Sequence, residues 1–242
     1  MKKALLAIAA LAALTVPALP ALPAHAAPKD PVKALKATIV PGHGVRYTGS
    51  VTWKDGTDER GARDLKGAFQ FGKKGVAAFD ITRKDGDEEQ RVIGIGKTGY
   101  YSGGVIGGLL PEGKTWFKEK NRGMPDSWSQ FINPAETKTL ARLLKNGTTK
   151  GNTVSGSITL KELKAVSTWV SAARLGNEHD GVKISYTLTL SSAGLVNRVT
   201  STYALTEDGT IYTTTVDTRY TGWGSKVSIK APAPSTVTTK IR

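Results

Sequence analysis

The chain has 242 residues, with 34 Lys and Arg against 20 Asp and Glu and no cysteine, which gives a formal net charge of +14. The lack of cysteine excludes disulfides, thiol catalysis and an anchor on a lipid-modified cysteine. The basic charge favours anionic surfaces such as phospholipid headgroups or cell-wall polymers, and it argues little for nucleic acid, because bases and acids alternate along the chain.

The first 26 residues have the pattern of a secretory signal peptide. Lys2 and Lys3 precede an apolar run that two prolines interrupt, and small residues surround Ala26. The run is shorter than the roughly 20 residues of a membrane span, so we expect cleavage after Ala26 rather than a retained anchor. The mature chain, residues 27–242, is then an exported single domain. Its net charge is +12, because the leader removes two lysines from +14 and no acid.

Alternating apolar and polar residues predict antiparallel strands in the first half of the mature chain. A short amphipathic helix is expected first, within residues 28–40. The predicted strands cover residues 45–53, 65–71, 76–82 and 90–96, and short glycine-containing turns separate them. Parallel neighbours would need long crossovers, so these strands are expected to pair as an antiparallel meander.

A glycine-spaced apolar stretch, residues 98–118, comes next. Its glycines break both the strand period and the helix period, so the stretch predicts a loop before a short strand at residues 114–118. The aliphatic residues of this loop are Val105, Ile106, Leu109 and Leu110. Such a loop either folds over the core or forms the rim of an apolar cavity. Residues 121–132 are predicted to be irregular.

Two helices are predicted in the middle of the chain. Asn133 as N-cap, Pro134 at the first position and Gly147 after the end delimit the first helix. Residues 160–174 form the second, with Gly176 as its stop. The apolar sides carry Leu140, Leu143 and Leu144 on the first helix and Leu163, Val166, Trp169, Val170 and Ala173 on the second.

The remaining pattern predicts strands again. Extended structure is expected at residues 150–159, strands follow within residues 182–220, and Val227 and Ile229 form a last short strand before two prolines end the regular structure. The chain is therefore of the α+β class, with an antiparallel sheet of about nine strands. A twisted sheet of this size tends to curl, so amphipathic helices can lie across its concave face.

The order of these elements and several short phrases resemble one family. The phrases are Gly113-Lys114-Thr115-Trp116, Asn133-Pro134 before the Leu-rich helix, and Tyr220-Thr221-Gly222-Trp223-Gly224 followed by Val227, Ile229 and Ala231-Pro232. In that order the chain is similar to LppX/LprG-type actinobacterial envelope proteins, which share the fold of the lipoprotein carrier LolA. The resemblance implies a strongly curved antiparallel half-barrel, with helices over an apolar cavity that takes up acyl chains of lipids or glycolipids. Many relatives carry a lipidated cysteine, which this chain lacks.

The apolar side chains expected to line this cavity or its rim form the candidate site. They are Trp53, Phe69, Phe71, Tyr101, Val105, Ile106, Leu109, Leu110, Leu140, Leu143, Leu144, Val166, Trp169 and Val170. The resemblance favours the rim for residues 105–110. For the aromatic residues Trp53, Phe69 and Phe71 and for the helix residues plain core packing is the default, because a core and a cavity are lined by the same side chains. We expect an exported, non-catalytic protein that binds or transfers lipids, with an envelope sensor domain and a basic wall-associated protein as alternatives.

Motifs for catalysis or for metal binding do not occur in the mature sequence. His43 and His179 each fall in a predicted turn, without partners at zinc-binding spacing. Residues 94–98 contain Gly-Lys-Thr but lack the spacer and the following helix of a phosphate-binding loop. No nucleophile elbow is present. We therefore expect no enzyme activity, no metal, no cofactor and no nucleic-acid partner, and a monomer.

Overall fold

The computed structural model describes residues 30–120, 130–172 and 175–242. The predicted leader, residues 1–26, lies outside the described residues. So do residues 121–129 of the segment predicted to be irregular, and residues 173–174 at the end of the second predicted helix.

Strands make up most of the described chain. They are β1 (His43–Asp55), β2 (Asp58–Gly72), β3 (Gly75–Asp85), β4 (Glu88–Ile95), β5 (Thr98–Gly103), β6 (Trp116–Lys120), β7 (Thr148–Lys150), β8 (Thr153–Thr159), β9 (Lys183–Leu190), β10 (Val196–Glu207), β11 (Thr210–Lys226) and β12 (Val237–Thr238). The helices are α1 (Pro31–Thr38), α2 (Gly104–Gly108), α3 (Thr137–Asn146), α4 (Leu160–Lys164) and α5 (Thr168–Ser171), with short 3₁₀ helices at Asn177–His179 and Pro234–Thr236.

All twelve strands join one open sheet in the order β12-β6-β5-β4-β3-β2-β1-β11-β10-β9-β8-β7. Neighbouring strands are antiparallel, as predicted, except that β12 runs parallel to β6. The three early hairpins follow directly from the sequence, because Gly56, Gly75 and Gly86 supply the positive φ angles of 57°, 123° and 56° that their tight turns need.

The core lies on one face of this sheet. Along β9, Ile184, Tyr186, Leu188 and Leu190 are buried, whereas the residues between them are exposed or half-buried. The register continues this face across the sheet, since Tyr186 lies opposite Ser201 of β10, and Ser201 lies opposite the buried Val216 of β11. The period-2 alternation of the sequence therefore separates a core face from a solvent face.

Helices cover the core face. The Tyr186 hydroxyl of β9 donates a hydrogen bond to the Leu143 carbonyl of α3 at 2.6 Å. Trp169 of α5 meets the rings of Phe69 and Phe79 edge-on, at centroid distances of 5.3 and 5.2 Å. The predicted α+β fold, a curved antiparallel sheet with helices across its concave face, is confirmed. Within the described ranges, none of the helices is both long and apolar enough to cross a membrane.

The first predicted helix starts later than its sequence signal. Asn133 was predicted as the N-cap, but its side chain accepts a hydrogen bond from the Ala135 backbone at 3.0 Å and closes a turn. The helix begins at Thr137, and Glu136 occupies the N-cap position without capping it through its side chain. The Asn-Pro signal was therefore wrong in position, because Asn133 stabilises a turn before the helix instead of the helix itself.

The second predicted helix is two short helices. Thr159 and Glu162 form a capping box at the start of α4, and Ser167 caps α5 by accepting a hydrogen bond from Val170 N at 3.1 Å. A serine that caps a new helix ends the preceding one, so the apolar stripe is interrupted at residues 165–167. The prediction of one continuous helix was wrong.

The C-terminal segment also differs from its prediction. Val227 and Ile229 lie in no strand, and the Ile229 amide donates to the side-chain oxygen of Gln70 at 2.7 Å. The last strand is β12, beyond both prolines, where Val237 pairs with Trp116. A strand of two residues is too short to produce a recognisable pattern in the sequence.

The solvent face of β10 and β11 holds a cross-strand ion pair whose effect depends on pH. Two hydrogen bonds and the charge of Arg198 hold the pKa of Asp217 below its usual 3.8. A lowered folded-state pKa stabilises the protein above the unfolded pKa of about 3.9, and this stabilisation is lost as the pH falls through the folded value. Asp217→Asn should therefore lower the melting temperature slightly at pH 7, and by less at about pH 3, below the unfolded pKa. An equal difference at both pH values would contradict the assignment.

Candidate functional site

The apolar stretch after β5 is a short helix rather than a loop. Gly103 and Gly104, at φ angles of 75° and 55°, turn the chain out of β5 into α2. The prediction of a loop was wrong because a single helical turn with three glycines has no measurable period. Val105 on α2 is 76% exposed, and Leu109 just after the helix is 36% exposed.

The C-terminal end of the chain lies beside α2. The Arg242 amide donates to the Leu109 carbonyl at 2.9 Å, and the preceding Ile241 is 48% exposed. Ile106 is half-buried, and Leu110 is buried beneath. We call Val105, Ile106, Leu109 and Ile241 the apolar edge. Sequence reasoning missed Ile241, since no local pattern links it to residues that lie far away in the chain.

The core face next to α2 is lined by aromatic rings. The rings of Tyr101 and Phe117 lie 6.5 Å apart and are half-buried, and the Tyr101 hydroxyl donates to Glu119 at 3.0 Å. A Cβ atom at Gly99 would lie only 2.7 Å from that hydroxyl oxygen. Because glycine has no side chain, the Tyr101 ring can occupy the space beside Gly99 on the same strand. Tyr101 is close to α2 because β5 leads directly into that helix, and the register places Phe117 opposite Tyr101.

Seven other predicted residues are packed in the core. Phe69, Phe71, Leu110, Leu140, Leu143, Trp169 and Val170 are each at most 8% exposed. Side chains this buried touch other protein atoms on nearly all sides. Packing in the protein core therefore accounts for these seven residues.

The three remaining predicted residues lie at the margins of the core. Trp53, Leu144 and Val166 are half-buried against it. The Arg63 guanidinium lies over the Trp53 ring, 5.5 Å from its centroid. The structure therefore places Tyr101, Val105, Ile106, Leu109 and Leu110 at one place, and it does not bring Trp53, Leu144 or Val166 to α2.

A buried polar group fixes the segment before α3. Gln130, which is 7% exposed, donates to Thr218 at 3.3 Å, and its side-chain oxygen accepts from Ser201 at 3.0 Å and from the Ile132 amide at 3.1 Å. Its backbone carbonyl accepts from the indole nitrogen of Trp169 at 3.0 Å. These bonds join the sheet to α5, and no pattern in the sequence predicts them.

Glu136 is a second polar connection that sequence reasoning missed. Its carboxylate accepts hydrogen bonds from Thr139 at 2.9 Å, from Ser167 at 2.6 Å, from the Trp169 amide at 2.9 Å, and from the Thr168 hydroxyl. Ser167, Thr168 and Trp169 all belong to the start of α5. One side chain thereby joins the first turn of α3 to the helix that covers Phe69.

Two buried tyrosines of the core face have raised pKa values. Burial raises the pKa of Tyr47 and of Tyr220 well above the usual range, and the charge of Asp80 raises that of Tyr47 further. Both phenols therefore stay neutral and provide no base near neutral pH. His43 lies at the start of β1, and His179 lies in a 3₁₀ helix. Among residues 30–120, 130–172 and 175–242, no group of three or more acids, histidines or cysteines could hold a metal.

No protein-family model matches the sequence, and no curated protein matches it. Solved structures that are similar include a LolA superfamily protein from Nitrosomonas europaea, at a TM-score of 0.33 and 8% identity, over 78% of this chain and 91% of that chain. A DUF1329 family protein from Desulfovibrio piger has a TM-score of 0.20 and 11% identity, over 80% and 92% of the two chains.

The isotype 1 transferrin binding protein B from serogroup B Neisseria meningitidis is also similar, at a TM-score of 0.28 and 10% identity over 79% of this chain. This chain spans only 27% of the length of that structure. At such scores the likenesses are remote. Membership of the LppX/LprG-type family stays a prediction.

Proposed function

We propose that this protein is exported after cleavage at Ala26 and binds or transfers lipids or glycolipids of the cell envelope, without catalysing a reaction. Acyl chains would enter at the apolar edge and lie along the aromatic side of the core face. The observation that supports this role is the exposure of Val105, at 76%, on a helix that borders the half-buried rings of Tyr101 and Phe117. An aliphatic side chain in that position can contact an apolar ligand.

The free energy of burying an acyl chain is large enough to hold a ligand by apolar contact. Burial of one methylene contributes about 0.8 kcal/mol, so an acyl chain of about 16 carbons offers on the order of 13 kcal/mol before the costs of ordering and association. Polar groups then need only to orient the ligand. Tyr101 of β5 and Glu119 of β6, joined by a 3.0 Å hydrogen bond, could contact a headgroup.

A double substitution tests the site. Val105→Asp with Leu109→Asp should lower the uptake of a fluorescent phospholipid about tenfold, because a loss of about 1.4 kcal/mol of apolar contact corresponds to that factor. The melting temperature should change little, since both side chains are exposed. Mass spectrometry of lipids extracted from the purified protein gives the ligand class in the same preparation.

Ile211 supplies the control, because it is 60% exposed on β11, away from α2. Ile211→Asp should leave both uptake and melting temperature unchanged. Uptake by the double variant equal to that of the unmodified protein would remove the apolar edge as the entry site. No uptake and no extracted lipid from the unmodified protein would remove the proposed function.

A basic wall-associated protein without a lipid ligand is the second candidate. The observation that favours it is the burial of Phe71, Leu140, Leu143 and Val170 to 1% exposure or less, as in a filled core. Such a protein would yield no lipid on extraction, yet it would still bind anionic polymers. The extraction experiment therefore separates the two candidates.

A further inference from the structure

Lysines gather at one end of the sheet, where β2, β4 and β11 end and β1 begins. We call this surface the lysine end; it comprises Lys33 and Lys36 on α1, Lys73 and Lys74 between β2 and β3, Lys97 between β4 and β5, and Lys226 at the end of β11. All six side chains are exposed. Widely separated parts of the sequence thus place positive charge on one surface.

Backbone hydrogen bonds hold these turns together. The Gly42 amide donates to the Phe71 carbonyl at 3.1 Å, and the Val227 amide donates to the Gly42 carbonyl at 3.1 Å. The Gly96 amide donates to the Ala77 carbonyl at 3.2 Å. The turns that carry Lys73 and Lys97 are therefore held beside the end of β11, which carries Lys226, and the lysine end is a continuous feature of the folded sheet.

These charges are not neutralised within the described residues. None of the six lysines forms an ion pair with a described acid. The carboxylate of Asp30, which lies beside Lys33, caps α1 by accepting from the Val32 amide at 2.9 Å and from the Lys33 amide at 3.2 Å. The lysine end therefore presents its positive charge to solvent.

The opposite end of the sheet has the other sign. Its hairpin turns carry Asp55, Asp58, Asp85, Asp87, Glu88, Glu89 and Asp208. Bases at this end are partly paired, as in Arg60 with Asp55 at 3.0 Å and Arg63 with Asp85 at 3.4 Å. The molecule thus has a charge dipole along its strands, and this dipole would turn the lysine end toward a negative surface.

Apolar groups lie within the lysine end. Val40, between α1 and β1, is 44% exposed. A groove of about 540 Å³ lies next to α1, lined by Asp30, Lys33, Ala34, Ala37, Thr38, Ala193 and Leu195. A surface that combines lysines with exposed aliphatic side chains matches a lipid bilayer, where charged headgroups lie above an apolar boundary. A hydrated polyanion would satisfy the lysines but would give Val40 no apolar partner.

We infer that the lysine end is the surface by which this protein docks on a bilayer that contains anionic lipids. The role of this surface in lipid transfer rests on the proposed function. Binding of the surface to a bilayer can be measured whether or not the protein takes up lipid. The apolar edge lies at the other end of the sheet, since Gly103, which precedes α2, pairs with Gln90 near the start of β4. The two surfaces are therefore separate, and each can be altered without the other.

Binding to vesicles that contain phosphatidylglycerol tests the docking surface. Lys73→Gln with Lys74→Gln should weaken binding about 25-fold, because each lysine near an anionic bilayer contributes about a fivefold change in affinity. The control is Lys54→Gln with Lys84→Gln, which removes the same charge from two exposed lysines near the acidic end. That control should change binding less than about threefold, since charges more than about 8 Å from the bilayer are screened.

The absence of cysteine permits a second measurement. Lys74→Cys and Lys84→Cys each create a single labelling site for an environment-sensitive dye. The dye at position 74 should shift its emission to shorter wavelength on vesicle binding, and the dye at position 84 should not. Shifts of equal size at both positions would overturn the inference.

The other outcomes of the vesicle experiments also test the docking surface. Equal weakening by the two glutamine pairs, or weakening by neither, means that net charge or another face binds the vesicles, and the inference is then wrong.

Val40→Ser should weaken vesicle binding severalfold and leave binding to soluble dextran sulfate unchanged. Binding to dextran sulfate without binding to vesicles would make the surface a polymer site and overturn the bilayer assignment. If the unmodified protein takes up lipid but does not bind the vesicles, this inference alone is wrong. If it binds the vesicles but takes up no lipid, the proposed function alone is wrong.

Discussion

Trp169→Ala is expected to lower the free energy of unfolding by about 3–5 kcal/mol, the usual cost of removing a buried tryptophan. The side chain is 8% exposed, and its ring contacts Phe69 and Phe79 edge-on at 5.3 and 5.2 Å. Removing the ring leaves a cavity between α5 and the sheet. It also leaves the Gln130 carbonyl without the hydrogen bond that the indole nitrogen donates in the unmodified protein. Urea unfolding followed by circular dichroism measures the loss.

The same experiment separates core from cavity at Trp169. Trp169→Phe keeps most of the apolar volume and loses only the hydrogen bond, so it should cost roughly 1–2 kcal/mol. If Trp169 instead lined a lipid cavity, Trp169→Ala would enlarge that cavity, cost little stability and raise lipid uptake. A loss below about 1 kcal/mol together with higher uptake would contradict the packed-core assignment.

The strands and hairpins could be predicted from the sequence because their causes are local. Alternation along residues 182–190 determines which side chains of β9 face the core, and glycine at positions such as 56 and 86 determines where the hairpins turn. Both signals lie within a few residues of the structure that they specify. The antiparallel order then follows from the shortness of the turns.

The helix boundaries could not be predicted in the same way, because contacts distant in sequence decide them. Ser167 interrupts an apolar stripe that predicts one helix. Its hydroxyl accepts from the Val170 amide in α5 and donates to Glu136 at the N-cap position of α3. No window of the sequence contains that arrangement. Asn133 is a strong N-cap signal, yet it stabilises a turn, since Gln130 and Glu136 fix the segment around it.

The candidate site was predictable only in part. The apolar stretch identified Val105 and Leu109, whose exposure distinguishes them from ordinary core. The same reasoning could not separate Leu143 or Val170, because core and cavity residues have the same composition. Ile241 and the lysine end become apparent only from the register, which brings residues that are far apart in sequence onto one surface.

Glu136→Ala is expected to cost about 2–4 kcal/mol, more than a typical substitution of a half-buried residue. The carboxylate accepts from Thr139, Ser167, Thr168 and the Trp169 amide, and its loss leaves the buried Ser167 hydroxyl and that amide without their acceptor. A hydrogen bond to a charged group contributes about 1.5–3 kcal/mol, and an unsatisfied buried donor costs more than a solvated one. Thermal and urea unfolding should both report the loss.

Glu162→Ala is the matched control, because Glu162 also accepts a backbone hydrogen bond, from Thr159 at 2.9 Å, but its side chain is 42% exposed in a capping box. A cap of this kind is worth about 1 kcal/mol, since water replaces the lost partner. The difference between the two variants therefore measures the connection that Glu136 makes between α3 and α5. Equal losses would mean that the hydrogen bonds from Glu136 to α5 add no stability, and α5 would then be held over Phe69 by apolar packing and by the Trp169–Gln130 hydrogen bond alone.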